Sequence, residues 1–194
     1  MTVNLRRRGL LACAGLFAAG PVHAITPNPF TIAAASDLKF ALEEVVEEFV
    51  RSGGVRPRLV FGSSGNFYSQ ILQGAPFHVF MSADEAFVFK LARAGKTMDH
   101  GRLYAHGRIG ILVPRQGPVA ADPELRDLRA ALQDGRLSKF AIANPVHAPY
   151  GMRAQEALEH LGLWDRIRPF LVYGENVSQA AQFALSGSAQ GGIV

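Results

Sequence analysis

The chain has 194 residues, enough for one ordinary domain or two small lobes, and its 48% hydrophobic and 19% charged content is that of a folded globular protein. Its formal net charge is +4, but three of its 20 Lys and Arg residues (Arg6, Arg7 and Arg8) stand together before the apolar stretch "GLLACAGLFAAG". Without that leader, 17 basic side chains stand against 16 acidic ones, which argues against nucleic acid as a partner.

Residues 1–24 read as a secretory signal peptide. A basic start is followed by a short apolar core, and Val22 and Ala24 sit where a signal peptidase wants small side chains. "RRRGLL" also partly fits a twin-arginine signal, so the export route stays open. Cys13, the only cysteine, lies in this leader. The mature chain therefore has neither a disulfide nor a thiolate for chemistry. No stretch is long and apolar enough for a membrane span.

"FTIAAA" (30–35) predicts a buried strand. From Leu38 the apolar residues Ala41, Leu42, Val45, Val46, Phe49 and Val50 recur at helical spacing, and Gly53 and Gly54 stop the helix. "VRPRLVFG" is the next strand, "SSGNFYSQILQG" a helix, "APFHVFMSAD" a strand and "EAFVFKLARAG" a helix. A second run follows a connection near 101–108. "GRIGILVP" is a strand, 115–123 a loop, "PELRDLRAALQDG" a helix and "KFAIANP" a strand. "MRAQEALEHLGLW" is then a helix, "RPFLVYG" a strand and "SQAAQFALSG" a helix. The last residues, "AQGGIV", read as the start of a strand, which points to a fragment. Alternating strands and helices predict an α/β protein of two lobes, each with a mostly parallel sheet flanked by helices. The reading is 25–104 for the first lobe and 105–194 for the second.

Four strand-to-helix junctions carry similar chemistry. They are Ser36-Asp37, Ser63-Ser64-Gly65, "VHAPYG" with Pro149 suited to a first helical turn, and "ENVS" around Val177. In open α/β sheets, ligands bind beyond the carboxyl ends of the strands, where helix N-termini offer free N–H groups and partial positive charge. No Lys or Arg stands nearer than Lys39 and Arg153, both inside helices. A site built this way would hold a small anion by amides and hydroxyls. Ser, Asp or Asn at such a place is also an ordinary helix cap, worth about 1 kcal/mol. The two readings are compatible.

The stretches "AAASDLKFALEEV", "FGSSGNFYSQI", "QGAPFHVFMSAD", "ANPVHAPYGMRAQEALEHLGLWD" and "GENVSQAAQFALSGSAQGGIV" resemble the periplasmic molybdate-binding proteins of ABC transporters, in order and in spacing, over residues 30–194. The resemblance implies the periplasmic-binding-protein type II fold and a periplasmic protein that is not an enzyme. It further implies capture of molybdate, and of tungstate, for an inner-membrane permease. By position, the hydroxyl ligands fall at Ser36 and Ser64, and backbone N–H contacts at Tyr150 and Val177. The amides of Asp37 and Gly65 are neighbouring candidates. Molybdenum would enter only as the oxyanion, with no direct protein ligand to the metal and no cofactor. A monomer is expected. The family's closing segment, which returns to the first lobe, is expected beyond Val194.

Molybdate is fully deprotonated at neutral pH and offers only acceptors. The Asp37 carboxylate is therefore expected to cap its helix or to face away; facing inward, it would suit a protonated oxyanion such as hydrogen phosphate. Sulfate or phosphate is the alternative ligand. His147 is expected to hold its loop by a hydrogen bond. A secreted hydrolase using Ser64 with His147 is the competing class, and it needs those side chains in contact. "GSSGN" lacks the last glycine of the hydrolase elbow. His78, His100, His106 and His160 have no metal-type spacing. Trp164 and Phe170 are expected to pack a lobe.

Overall fold

Strand β1 (Thr31–Ala35) is buried along nearly its whole length because it runs between two parallel neighbours. β2 (Arg58–Gly62) and β3 (Val79–Met81) flank it, with Ile32 opposite Leu59 on one side and Val79 on the other. The computed structural model describes residues 29–194, so the leader at 1–24, with Cys13, lies outside the described residues. β1 leads through a single 3-10 turn, Ser36–Leu38, into α1 (Lys39–Arg51). β2 leads into α2 (Ser64–Leu72), and β3 into α3 (Glu85–Arg93). The α1 stripe is covered only in part. Leu42 and Val46 join the cluster with Ile32 and Ala34, while Val45 and Phe49 stay 61% and 43% exposed.

The second sheet has the order β4-β7-β5-β6. β5 (Phe140–Ala143) is wholly buried and pairs in parallel with β6 (Leu171–Gly174) and with β7 (Gly192–Ile193). β4 (Ile111–Leu112) pairs antiparallel with β7. The "AQGGIV" segment is thus an interior strand of its sheet. Helices α4 (Arg126–Asp134), α5 (Pro149–His160), α6 (Trp164–Ile167) and α7 (Val177–Leu185) complete this lobe. Its core is the larger of the two, built on Leu128, Phe140, Ile142, Leu158, Leu163 and Ile167, with Trp164 and Phe170 packed against it. This is the α/β, two-lobed, mostly parallel arrangement expected.

Helix α5 begins three residues before the "MRAQEALEHLGLW" stretch. Pro149 starts it, its φ preset and its missing N–H costing nothing in a first turn. Gly151 then lets the helix press on β5, where a Cβ would come within 2.1 Å of the Ala143 carbonyl oxygen. Leu158, one helical face further on, is fully buried. Leu158→Ala is expected to cost about 2–5 kcal/mol of unfolding free energy, read from urea denaturation. A cost under about 1 kcal/mol would show that this core relaxes around the lost side chain.

Candidate functional site

At two of the four junctions, those of α2 and α7, a residue beside the candidate ligand does the capping. At α2 the cap is Ser63, whose Oγ accepts the Asn66 N–H at 3.4 Å. Ser64, one residue on, is left free of capping and is fully buried. At α7 the cap is Asn176, whose side chain accepts the Gln179 N–H at 3.1 Å, which leaves the Val177 amide in the first turn. At α5 the N-cap is Ala148, with no side-chain cap, so the Tyr150 amide has no acceptor within the helix. The sequence had posed cap against ligand at one residue; the fold puts the two duties on neighbours.

These junctions meet around one small cavity, part of it open to solvent. The first lobe supplies Ser36, Asp37, Ser63 and Ser64, and the second supplies Pro149, Tyr150, Asn176 and Val177. Of the six candidate residues, five line it: Ser36, Asp37, Ser64, Tyr150 and Val177. Gly65 does not. Its N–H donates to the His147 carbonyl oxygen at 2.9 Å, so that amide is committed to the opposite lobe and the candidate contact is corrected on this ground.

The two hydroxyls are held in the same way. Ser64 Oγ accepts the Ala83 N–H at 2.9 Å, and Ser36 Oγ accepts the Ser178 N–H at 3.4 Å. Each oxygen has a lone pair engaged by backbone, so each hydroxyl proton remains to be donated. Ser178 Oγ returns a bond to the Ser36 carbonyl oxygen at 3.0 Å, tying the lobes together there. No Lys or Arg lines the cavity.

Asp37 does not cap its helix, one of the two placements expected of it. The carboxylate instead accepts the Tyr150 O–H at 3.2 Å across the lobes, on the wall shared with a larger open cleft. Partial loss of hydration pushes its pKa up, opposed by hydrogen bonds from its own N–H and from Tyr150. Tyr150 and Tyr104 are both pushed up to about 12, chiefly by burial and next by the negative charge of Asp37. Both phenols are thus neutral donors at pH 7; Tyr104 donates to the Ser82 carbonyl oxygen at 2.7 Å.

His147 meets Ser63, not Ser64: its Nδ1 lies 2.9 Å from Ser63 Oγ. That removes the Ser64–His147 pair on which the hydrolase reading depended. Its other nitrogen, Nε2, lies 3.5 Å from Glu175 Oε2, and Asn66 donates to the same carboxylate. Sequence reasoning placed Ser63 and Glu175 in their junctions without giving either a role, and missed Asn66. Asn66 and Glu175 stand 109 positions apart, and no local pattern joins them. His78 Nδ1 accepts the Thr31 N–H at 3.0 Å, and among the described residues no cluster of metal-ligating side chains occurs.

The family model described as bacterial extracellular solute-binding protein matches residues 30–194. The chain belongs to that family. The molybdate-binding protein ModA of Azotobacter vinelandii is 34% identical over 187 residues, covering 96% of this chain and 68% of that protein. ModA of Rhodobacter capsulatus is 36% identical, covering 84% of this chain and 62% of that protein. The solved structure of the Azotobacter vinelandii periplasmic molybdate-binding protein superposes with a TM-score of 0.76 at 33% identity, over 85% of this chain and 70% of that one. This solute-binding protein therefore spans roughly two thirds of the length of these relatives. They are binding proteins, and this solute-binding protein is likewise not an enzyme.

Proposed function

We propose that this chain captures molybdate, and tungstate by the same chemistry, between its two lobes in the periplasm and delivers it to an inner-membrane ABC permease. The observation that carries the reading is the pair of buried hydroxyls, Ser36 and Ser64, each with its oxygen already accepting a backbone N–H. Such groups are donors toward the cavity, and a fully deprotonated oxyanion is all acceptors. The amides of Tyr150 and Val177, at two helix N-termini of the other lobe, add donors and positive dipole ends. Dipoles and hydroxyls cost less to desolvate than lysines, so closure around the anion is easier. In this reading the lobes are 25–104 and 105–194, the leader at 1–24 exports the chain, and the protein acts as a monomer.

Calorimetric titration with molybdate, tungstate, sulfate and phosphate tests the reading. Tight uptake of the first two without sulfate is expected. Binding of sulfate or phosphate alone would sink it. Asp37 on the cavity wall favours hydrogen phosphate as the second reading, because a carboxylate can accept that ion's proton.

Asp37 also yields a prediction with two readouts. Its folded pKa lies above the ordinary 3.8, so the native chain holds this proton to higher pH than the unfolded chain does. The stability it contributes is full below 3.8 and is lost as pH rises through the folded value. Asp37→Asn removes that loss and also removes a negative charge from the wall. Molybdate is then expected to bind roughly 3- to 10-fold more tightly at pH 7.5, a Coulomb effect much reduced by solvent. Weaker binding in this variant would show that the carboxylate helps to hold the anion.

A further inference from the structure

We infer that His147 is a positioning residue for anion capture, its imidazole fastening the closed lobes together and setting how slowly the anion leaves. This rests on the oxyanion reading above, but the residue itself does not line the anion cavity.

The clasp joins two short backbone segments. On the first lobe stand Ser63, Gly65 and Asn66, flanking the proposed ligand Ser64. On the second stands His147, three residues before Tyr150, in a turn where the Ala148 N–H reaches the Asn144 carbonyl oxygen at 2.9 Å. Three contacts centre on His147. The Gly65 N–H donates to its carbonyl oxygen at 2.9 Å, Ser63 Oγ lies 2.9 Å from its Nδ1, and Glu175 Oε2 lies 3.5 Å from its Nε2. Asn66 Nδ2 donates to the other oxygen of the same carboxylate.

Ser63 Oγ accepts the Asn66 N–H, and its own proton has His147 Nδ1 as an acceptor when that nitrogen is unprotonated. Nε2 faces Glu175. Ser63 is only 4% exposed, so the bond is made in a setting where loss of a partner is costly. Parting the lobes breaks the Gly65–His147, Ser63–His147 and Asn66–Glu175 contacts together, while the His147–Glu175 pair stays within the second lobe.

The consequence is kinetic. Bonds made only in the closed form add nothing to the first encounter of anion with open lobes. They add to the barrier for reopening, so their loss appears in the release rate.

The test follows release of molybdate, as loss of protein-bound molybdenum after rapid dilution, beside interlobe distances. Residues 25–194 contain no cysteine, so spin labels at Glu44→Cys and Glu159→Cys report lobe separation by double electron–electron resonance. His147→Ala is expected to speed release about 10-fold or more, with uptake changed less than about 2-fold; thermal unfolding of the unliganded protein is measured beside it, because Ser63 loses a partner. His147→Asn retains a group near Nδ1 for Ser63 and recovers part of the effect, while Glu175→Ala gives a smaller increase. The short-distance population is expected to shrink in His147→Ala. An unchanged release rate, or uptake and release altered equally, overturns the inference. Should the wild-type chain take up no molybdate, the oxyanion reading falls by itself. The distance distribution still decides the clasp, because an identical distribution in His147→Ala and wild type overturns it.

Discussion

Replacing Ser36 and Ser64 together by alanine is expected to reduce molybdate affinity about 1,000-fold or to undetectable levels, with each single change costing about 10- to 100-fold. A hydrogen bond to a charged partner is worth about 1.5–3 kcal/mol, which is that range per hydroxyl. Both changes also leave a backbone N–H, of Ala83 or of Ser178, without its acceptor. Unfolding of each variant must therefore be measured beside calorimetric titration. The Ala83 N–H lies deeper, against a fully buried Ser64, so Ser64→Ala is expected to lose more stability, about 1–3 kcal/mol. Ser178→Ala provides a control: it removes the bond to the Ser36 carbonyl oxygen while leaving the Ser36 hydroxyl in place. Wild-type affinity in the Ser36/Ser64 double variant would place the anion elsewhere.

Gly65→Ala is expected to weaken molybdate binding by roughly 10- to 100-fold without touching the anion. A Cβ at this position would lie 2.4 Å from the His147 carbonyl oxygen and 2.9 Å from its Cα. These are backbone atoms, so the clash is relieved only by moving one lobe from the other, a strain of the order of 1–3 kcal/mol. Residue 65 lies inside α2 and is not among the positive-φ glycines, so alanine suits its backbone. Alanine is the better helix former by about 1 kcal/mol, and the unliganded protein should melt no lower than wild type. Weaker binding with undiminished stability separates closure from folding. Undiminished affinity would mean that the closed form tolerates a wider gap between the lobes than the one seen here.

Much of this molecule was legible in its residues. The small, apolar "FTIAAA" reads as a buried strand, and the i, i+3, i+4 spacing after it as an amphipathic helix. Repetition of that pair specifies a parallel sheet, since parallel strands need a crossover of this length. Polar residues at the strand ends follow from the same logic, because each helix start leaves amides unpaired. Ser36 and Ser64 were therefore readable as candidates from their junctions, and Tyr150 and Val177 as positions that the family resemblance implies.

What the sequence left open depends on contacts between residues far apart in the chain. How the two serines of "SSGN" are held was decided by Ala83 and His147, which lie 19 and 84 positions away from the serines they hold. The Gly65 amide was a candidate donor as a neighbour of the positions the family resemblance implies; only the approach of His147 consumes it. Asp37 has every local reason to cap a helix, yet the Tyr150 phenol, 113 positions later, draws its carboxylate across the lobes. Periodicity and turn chemistry act over a few residues, so the sequence by itself determined the strands, the helices and the junctions. Hydrogen bonds between lobes act only after folding has brought the junctions together, so the tertiary structure alone decided how each polar group at those junctions is used.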